Sequence, residues 1–387
     1  MTDLRADVQR WLSAAIEAID PVELTREALS GPPATVVAIG KAAAGMCRGA
    51  AQALGQINGV CVTDTLADVP DGVDLLIGDH PIPGPASLRA GERVWETMLT
   101  ASGRVIVLVS GGGSALCEMP RHGIEFSFIQ HANRVLLDVG ASIEETNLVR
   151  GHLSALKCGG LARAFTGPIE TLILSDVGGA GPEVVASGPT LPMPFEPNRA
   201  RQIMQRFGIE VPEQTWSAMT QPQSHPGKTT VQILADGMVA ASAAVVAARS
   251  DGHGASLAPD WISGPLARCL ETFIGQSPHD VVVGVGEAAL EVTGDGSGGR
   301  NSHAALMAAS QIVESETLFA AFATDGVDGV SDGAGAIVDG STIERGGDPT
   351  QALARFDSAT YLDRIGDLVR TGPTGTNVAD IWIVCGA

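Results

Sequence analysis

The sequence predicts an α/β protein of two domains, and three features lead there. At 387 residues the chain exceeds what one hydrophobic core ordinarily organises. Short apolar runs bounded by Gly or Asp alternate with helical stretches, the pattern of a parallel sheet covered on both faces. A polar stretch broken by prolines, Val211 to Thr230, interrupts this alternation before it resumes.

Taken in order, residues 3–30 read as one packing helix, with Trp11, Leu12, Ile16 and Ile19 at helical spacing. The predicted strands of the first domain are VVAIG (36–40), GVCVT (59–63), DLLIG (74–78), RVIVLVS (104–110) and TLILSD (171–176). A second series opens with VQILAD and a helix rich in Ala and Val, then runs through DVVVGVG, LFAAFATDG and IWIVCG. The expected domains are therefore residues 1–224 and 225–387, with no fixed-period repeat.

Composition narrows the class of function. Hydrophobic residues make up 44% of the chain and charged ones 18%, which excludes disorder. A net charge of −20 repels phosphate backbones and anionic lipid, so neither nucleic acid nor membrane is expected as a partner. The six cysteines form no CxxC pair and no metal-ligand spacing, and read as reduced thiols. The N-terminal MTDLRADVQRWL lacks a signal-peptide pattern, and no run of about 18 apolar residues occurs. A cytoplasmic location is expected.

Several strand ends carry candidate chemistry, because helix N-termini and free N–H groups collect there in open parallel sheets. Ser110, Gly111, Gly112, Gly113 and Ser114 follow the strand RVIVLV. Three glycines let a backbone fold closely around an anion, although a plain tight turn has the same composition. Ser114 is positioned to cap the next helix and to offer a hydroxyl. Lys41 begins a helix, where a cation opposes the dipole unless an anion joins it. Arg300 and Asn301 follow GDGSGG and precede the helix SHAALMAASQI, a setting in which a guanidinium can grip two oxygens. Asp325, Asp328 and Asp332 follow an apolar strand, as suits magnesium or a general base, and equally suits a turn-rich loop. Arg150, His152 and Lys157 form a basic stretch that either is solvated or receives an anionic substrate. GVGEAA (284–289) matches the dinucleotide pattern GxGxxA, but LEVTGDG reads as strand and turn where the crossover helix belongs.

Together these strings resemble the class II glycerate 2-kinases, a family whose members are often named hydroxypyruvate reductases. The resemblance spans nearly the whole chain in order: IGKAA (39–43), GDHPIP (78–83), SGGGSAL (110–116), NLVRGHLSALK (147–157), LSDV (174–177), ASGPT (186–190), GGRN (298–301), TDGVDG (324–329), AGA (334–336) and TGPTGTNVAD (371–380). It implies a Rossmann-like first domain, a C-terminal α/β domain of MOFRL type and an active site in the cleft between them. It further implies in-line transfer from Mg·ATP to the 2-hydroxyl of glycerate. In that scheme Lys41 and Arg300 neutralise the moving phosphoryl group, and Asp325 orients or deprotonates the hydroxyl or holds Mg2+ with Asp328. Substrate or nucleotide contacts fall to Ser110, Gly111, Gly112, Gly113, Ser114, His152, Lys157, Asp176, Glu287, Asn301 and Asn377. Expected partners are a small hydroxy acid and ATP, with a homodimer as the candidate assembly.

The chain also departs from the family pattern. Gly178, Gly179, Ala180 and Gly181 stand where a Val-Gly-Asp-Asp type of run is usual, and Val285-Gly286-Glu287-Ala288-Ala289 replaces Gly-Gly-Glu-Thr-Thr. Ser302 and His303 replace Gln-Glu after GGRN, Ser297 replaces a basic residue, and Cys158 and Gly160 replace a glycine and an arginine. Three functions are compatible with this pattern: a glycerate-type kinase, an NAD(P)H-dependent hydroxypyruvate reductase, and a divergent, non-catalytic ligand-binding relative.

Overall fold

In the computed structural model, which describes residues 4–221, 227–276 and 280–386, the predicted apolar runs become the strands of two separate sheets. The first sheet comprises β1 (Thr35–Ile39), β2 (Asn58–Thr63), β3 (Val73–Ile77), β4 (Val105–Val109), β5 (Ile169–Leu174) and β6 (Thr229–Ala235). Its spatial order is β3-β2-β1-β4-β5-β6, and β1 to β5 pair in parallel. That order is the doubly wound, Rossmann-like arrangement, whose direction of winding reverses between β1 and β4. β4 is buried at all five positions, as its unbroken Val-Ile-Val-Leu-Val run requires.

The second sheet is mixed. It contains β7 (Ala255–Leu257), β8 (Ile262–Pro265), β9 (Val281–Ala289), β10 (Leu318–Ala323), β11 (Gly335–Asp339), β12 (Leu368–Val369) and β13 (Asp380–Cys385). The order is β12-β11-β10-β13-β9-β7, with β8 also on β9. β9, β13, β10, β11 and β12 pair antiparallel, whereas β7 and β8 join β9 in parallel. Helix Arg300–Gln311 lies over this sheet, and Phe273, Phe319 and Trp382 meet edge-to-face in its core at centroid distances of 5.5–6.2 Å.

The chain forms two compact units whose membership differs from a cut at residue 224. One consists of Pro21–Ser175 and Gly179–Leu234; the other gathers the residues up to Asp20, Asp176–Gly178 and the segment from Ala235 onward. Three local reasons account for the difference. The expected helix 3–30 is two helices, Leu4–Glu17 and Pro21–Ala28, because Pro21 lacks an N–H and starts a new helix at its first position. The first of them packs on helix Gly237–Ser250 within the C-terminal unit. The strand VQILA, expected to open the second domain, closes the edge of the first sheet as β6. Gly178 belongs with Trp261, since a Cβ at 178 would lie 2.0–2.3 Å from the indole ring. Residues 222–226, which include the expected boundary, lie outside the described part.

An ionic cluster fastens the N-terminal helix to the second sheet. Arg5 reaches Asp339 at 2.5 Å and Asp367 at 2.9 Å, and Arg345 meets Asp367 at 2.6 Å. Burial alone would raise the Asp339 pKa, but hydrogen bonds from the Ser341 hydroxyl and Arg5 outweigh it and bring the group down to about 2. The folded value thus lies below the unfolded one of about 3.9. The stabilisation is therefore complete above pH ~4 and disappears as pH falls towards 2. Allowing for solvent screening of a partly exposed group, it amounts to roughly 1–2 kcal/mol. Acid unfolding followed by circular dichroism should lose that component in Asp339→Asn, which is expected to be less stable at pH 7 and less sensitive between pH 4 and 2.

Candidate active site

In the N-terminal unit the loops after β1 and β4 meet at the reversal of the sheet, on its carboxyl edge, where ligands of this fold bind. Gly40 has φ +128° and packs so closely that a Cβ would lie 2.2 Å from Ser110 Oγ, so glycine is required there. Beyond it the Lys41 N–H donates to Gly111 O (2.9 Å) and the Ala42 N–H to Ser110 Oγ (3.0 Å). Ser110 is fully buried and acts as the bracket between the two loops. Gly112, at φ +80°, lies beneath the Lys41 stem and beside His80: a Cβ there would be 3.3 Å from Lys41 Cγ and 3.6 Å from His80 Cδ2. Lys41, His80 and the glycine loop therefore share one corner.

The expected helix after the glycine loop is a single turn, Gly113–Leu116, with Gly112 at its cap position. Ser114 lies inside that turn and its hydroxyl meets Ser187 Oγ at 2.7 Å, so it is not the cap the sequence suggested. Gly113 leaves room for Ile39 and Ala186, either of which a Cβ would crowd.

The basic stretch does not form an anion-receiving face. Helix Ile143–Leu153 ends before Lys157, so the three residues do not share its surface. His152 is buried, with Nδ1 donating to Leu148 O (2.8 Å) and Nε2 accepting from the Glu196 N–H (3.1 Å). Burial holds its pKa below the ordinary value, leaving the ring neutral and occupied. Lys157 is 2% exposed and pairs at 2.5 Å with Glu118, itself 1% exposed. Arg150 donates to Asn133 Oδ1 at 2.6 Å. Each of these groups maintains the interior. Cys158, where the family has glycine, has φ +53° and sits with its thiol against Met193.

The C-terminal unit carries the second constellation. Asp380 opens β13 and Glu287 lies on the adjacent β9, where Asp380 is paired with Gly286. Between these carboxylates sits Arg300, at the first position of helix Arg300–Gln311. Its Nε and Nη2 reach the two Asp380 oxygens at 2.5 and 3.1 Å, and Nη1 reaches Glu287 at 2.5 Å. Three of the five guanidinium N–H groups are so committed, and the other two are not engaged by these carboxylates. Burial would weaken the guanidinium charge, but the attraction of Asp380, reinforced by Glu287 and Asp328, more than compensates. Burial pushes Asp380 up to about 6 against the pull of Arg300. The two carboxylates differ in kind: the Asp380 side chain is 3% exposed and that of Glu287 is 52% exposed. Asp380 fixes the fork, while Glu287 lies open to solvent.

Asp328 has a different task from the metal ligand expected of it. Its oxygens accept the N–H groups of Gly299 (3.0 Å), Asn301 (2.9 Å) and Ser302 (2.7 Å), capping the Arg300 helix from another loop. Asn301 turns its carbonyl oxygen to Trp382 Nε1 at 3.1 Å, and His303 stacks on Phe356. Asp325 follows β10 and accepts the Val327 N–H at 3.0 Å. Asp332 is exposed and pairs with Arg370. Asn377 is half-buried three residues before Asp380, and Asp176 is half-buried just after β5. GVGEAA lies wholly within β9, so no strand–turn–helix exists there to receive a dinucleotide. Among the described residues no three His, Cys, Asp or Glu side chains are grouped to hold a metal ion, and no helix is long and apolar enough to cross a membrane.

Sequence reasoning missed Asp380, Glu118, Asn147 and Ser187. All four lie in or near the quoted strings, but the partners that define their roles are 37 to 80 residues away.

Comparison with known proteins agrees with this architecture. The N-terminal part matches the family model described as a domain of unknown function (DUF4147) over residues 7–220, and the C-terminal part matches the MOFRL family over residues 280–380. A two-unit α/β protein of the DUF4147–MOFRL class is thereby defined. The chain is 34% identical to a D-glycerate 2-kinase of Thermotoga maritima, over 95% of each chain, and 34% identical to a glycerate 2-kinase of Pyrococcus horikoshii, over 90% of this chain and 86% of that one. A crystal structure of glycerate kinase from Thermotoga maritima superposes with a TM-score of 0.88 at 32% identity, covering all of both chains. The chain belongs to the glycerate 2-kinase family.

Proposed function

We propose that this chain transfers the γ-phosphoryl group of ATP to the 2-hydroxyl of glycerate or of a closely related small hydroxy acid. The observation that carries this reading is the Arg300 fork, held by Asp380 with two N–H groups left over, in a chain of the glycerate 2-kinase family. Phosphoryl transfer asks little covalent chemistry of a protein and much positioning and charge neutralisation. Arg300 meets anionic oxygens through its remaining N–H groups. Lys41, at the corner of the switch-point loops, supplies a second cation for phosphoryl oxygens.

Magnesium would neutralise and orient phosphate oxygens when bound. Asp325 fits such an ion, since a carboxylate at a strand end supplies hard oxygen donors. Asp328 does not, because three backbone N–H groups already occupy its oxygens. Magnesium commonly uses one or two protein carboxylates plus substrate phosphates. Asp325 otherwise orients the acceptor hydroxyl or removes its proton.

ADP release from ATP, measured with a panel of small hydroxy acids beside NADH oxidation by hydroxypyruvate, tests the reading. Glycerate-dependent and magnesium-dependent ADP release is expected. NADH oxidation alone would establish the reductase instead, and silence in both assays would indicate a ligand-binding relative.

A further inference from the structure

Behind the glycine loop a short chain of polar groups fixes the direction of one proton. The Val184 carbonyl can only accept, so the amide it meets at 3.0 Å must be Asn147 Nδ2. That orientation turns Asn147 Oδ1, also only an acceptor, towards Ser187 Oγ at 2.6 Å. Ser187 spends its single hydroxyl proton there. Its 2.7 Å contact with Ser114 Oγ must then be supplied by the Ser114 proton.

The relay is rigid. Asn147 and Ser187 are 1% and 0% exposed, and Ala186 and Ser187 both have φ in the left-handed region, at 50° and 59°. Two consecutive non-glycine residues so held are strained, and the fold opposes that strain with ordered contacts. The Cys158 N–H donates to Ser187 O at 2.9 Å and the Gly159 N–H to Gly188 O at 2.8 Å. Ser114 itself is half-exposed on the glycine loop. Its outward side therefore carries lone pairs and no proton.

We infer that Ser114 is a hydrogen-bond acceptor that reads a hydroxyl of the hydroxy-acid substrate, and is not an anion contact for the nucleotide. A phosphate or carboxylate oxygen has no proton to offer such a group, whereas an alcohol O–H does. This narrows the expectation that Ser114 contacts substrate or nucleotide through its hydroxyl, and makes it a specificity determinant. The inference rests on the kinase reading for its substrate.

The experiment is steady-state kinetics of Ser114→Ala and Ser187→Ala with D-glycerate and ATP varied in turn. Ser114→Ala should raise KM for D-glycerate about tenfold, the scale of one hydrogen bond, and leave KM for ATP within about twofold. Ser187→Ala, which frees the Ser114 proton to turn outward, should produce a smaller change in the same direction. A rise confined to ATP, an equal rise for both substrates, or no change in either would overturn the inference. Should wild-type protein show no glycerate-dependent turnover, the kinase reading fails separately. Calorimetric titration then still decides: D-glycerate binding should weaken about tenfold in Ser114→Ala while inorganic phosphate binding does not. The opposite pattern, or no weakening of D-glycerate binding, would refute it.

Discussion

Replacing Arg300 by alanine is expected to lower kcat/KM for phosphoryl transfer by about 10²–10³-fold, the scale contributed by one preorganised donor at developing charge. The guanidinium is held on one side by a fully buried aspartate and on another by the solvent-exposed Glu287. Arg300→Lys should recover little, because an ammonium cannot reproduce the side-on pair to Asp380 while also presenting N–H groups outward. The alanine variant also leaves Asp380 buried without its cation, which destabilises by about 3–5 kcal/mol. Loss of activity through unfolding must therefore be separated from loss of the charge. Arg300→Ala combined with Asp380→Asn removes the stranded carboxylate and should regain much of the melting temperature without regaining turnover. Recovery of turnover in that double variant would contradict the assigned role of Arg300.

The second large effect concerns stability. Lys157→Met strands Glu118 in the interior, and breaking a buried ion pair on one side costs roughly 3–5 kcal/mol. For a unit of this size that corresponds to a fall in melting temperature of roughly 6–20 °C. Lys157→Met with Glu118→Leu should be far more stable than the single variant, because the desolvation penalty of both charges disappears together. Glu118 Oε1 also accepts the Met119 N–H at 2.9 Å, so part of the loss should persist. A double-mutant cycle read by thermal unfolding checks this. Strictly additive losses would mean that the two side chains do not depend on each other.

Much of the fold was legible because its strands announce themselves. β1, β2, β3, β4 and β5 each begin and end within two residues of apolar runs visible in the sequence, because most of their positions are apolar; Asp74 in β3 and Glu170 in β5 interrupt that texture without hiding it. Sheet membership was less visible. β6 has the same local texture as a domain-opening strand, and only long-range pairing assigns it to the first sheet. GVGEAA imitates a turn through its glycines, yet Gly286 lies in β9 at φ +157°, where backbone atoms of Ile262 come within 2.2 Å of a would-be Cβ. Its glycine admits a neighbouring strand rather than a phosphate.

The candidate site was legible where a motif coincides with a distinctive local geometry. GGRN marked Arg300, and the glycine loop marked the corner that Lys41 occupies. His152 and Lys157 misled because residue type reports charge but not the partner that absorbs it. Glu118 lies 39 residues from Lys157, and the Leu148 and Glu196 backbone groups that engage His152 are equally silent in sequence. Asp328 looked like a metal ligand for the same reason, and proved to cap a helix 28 residues earlier in the chain.

Phosphorus-31 NMR of the products formed from D-glycerate, ATP and magnesium tests the central claim most directly. The account predicts 2-phosphoglycerate and ADP in equal amounts. Intact ATP with no phosphoglycerate, under conditions where the protein is folded and oxidises NADH with hydroxypyruvate, would contradict it.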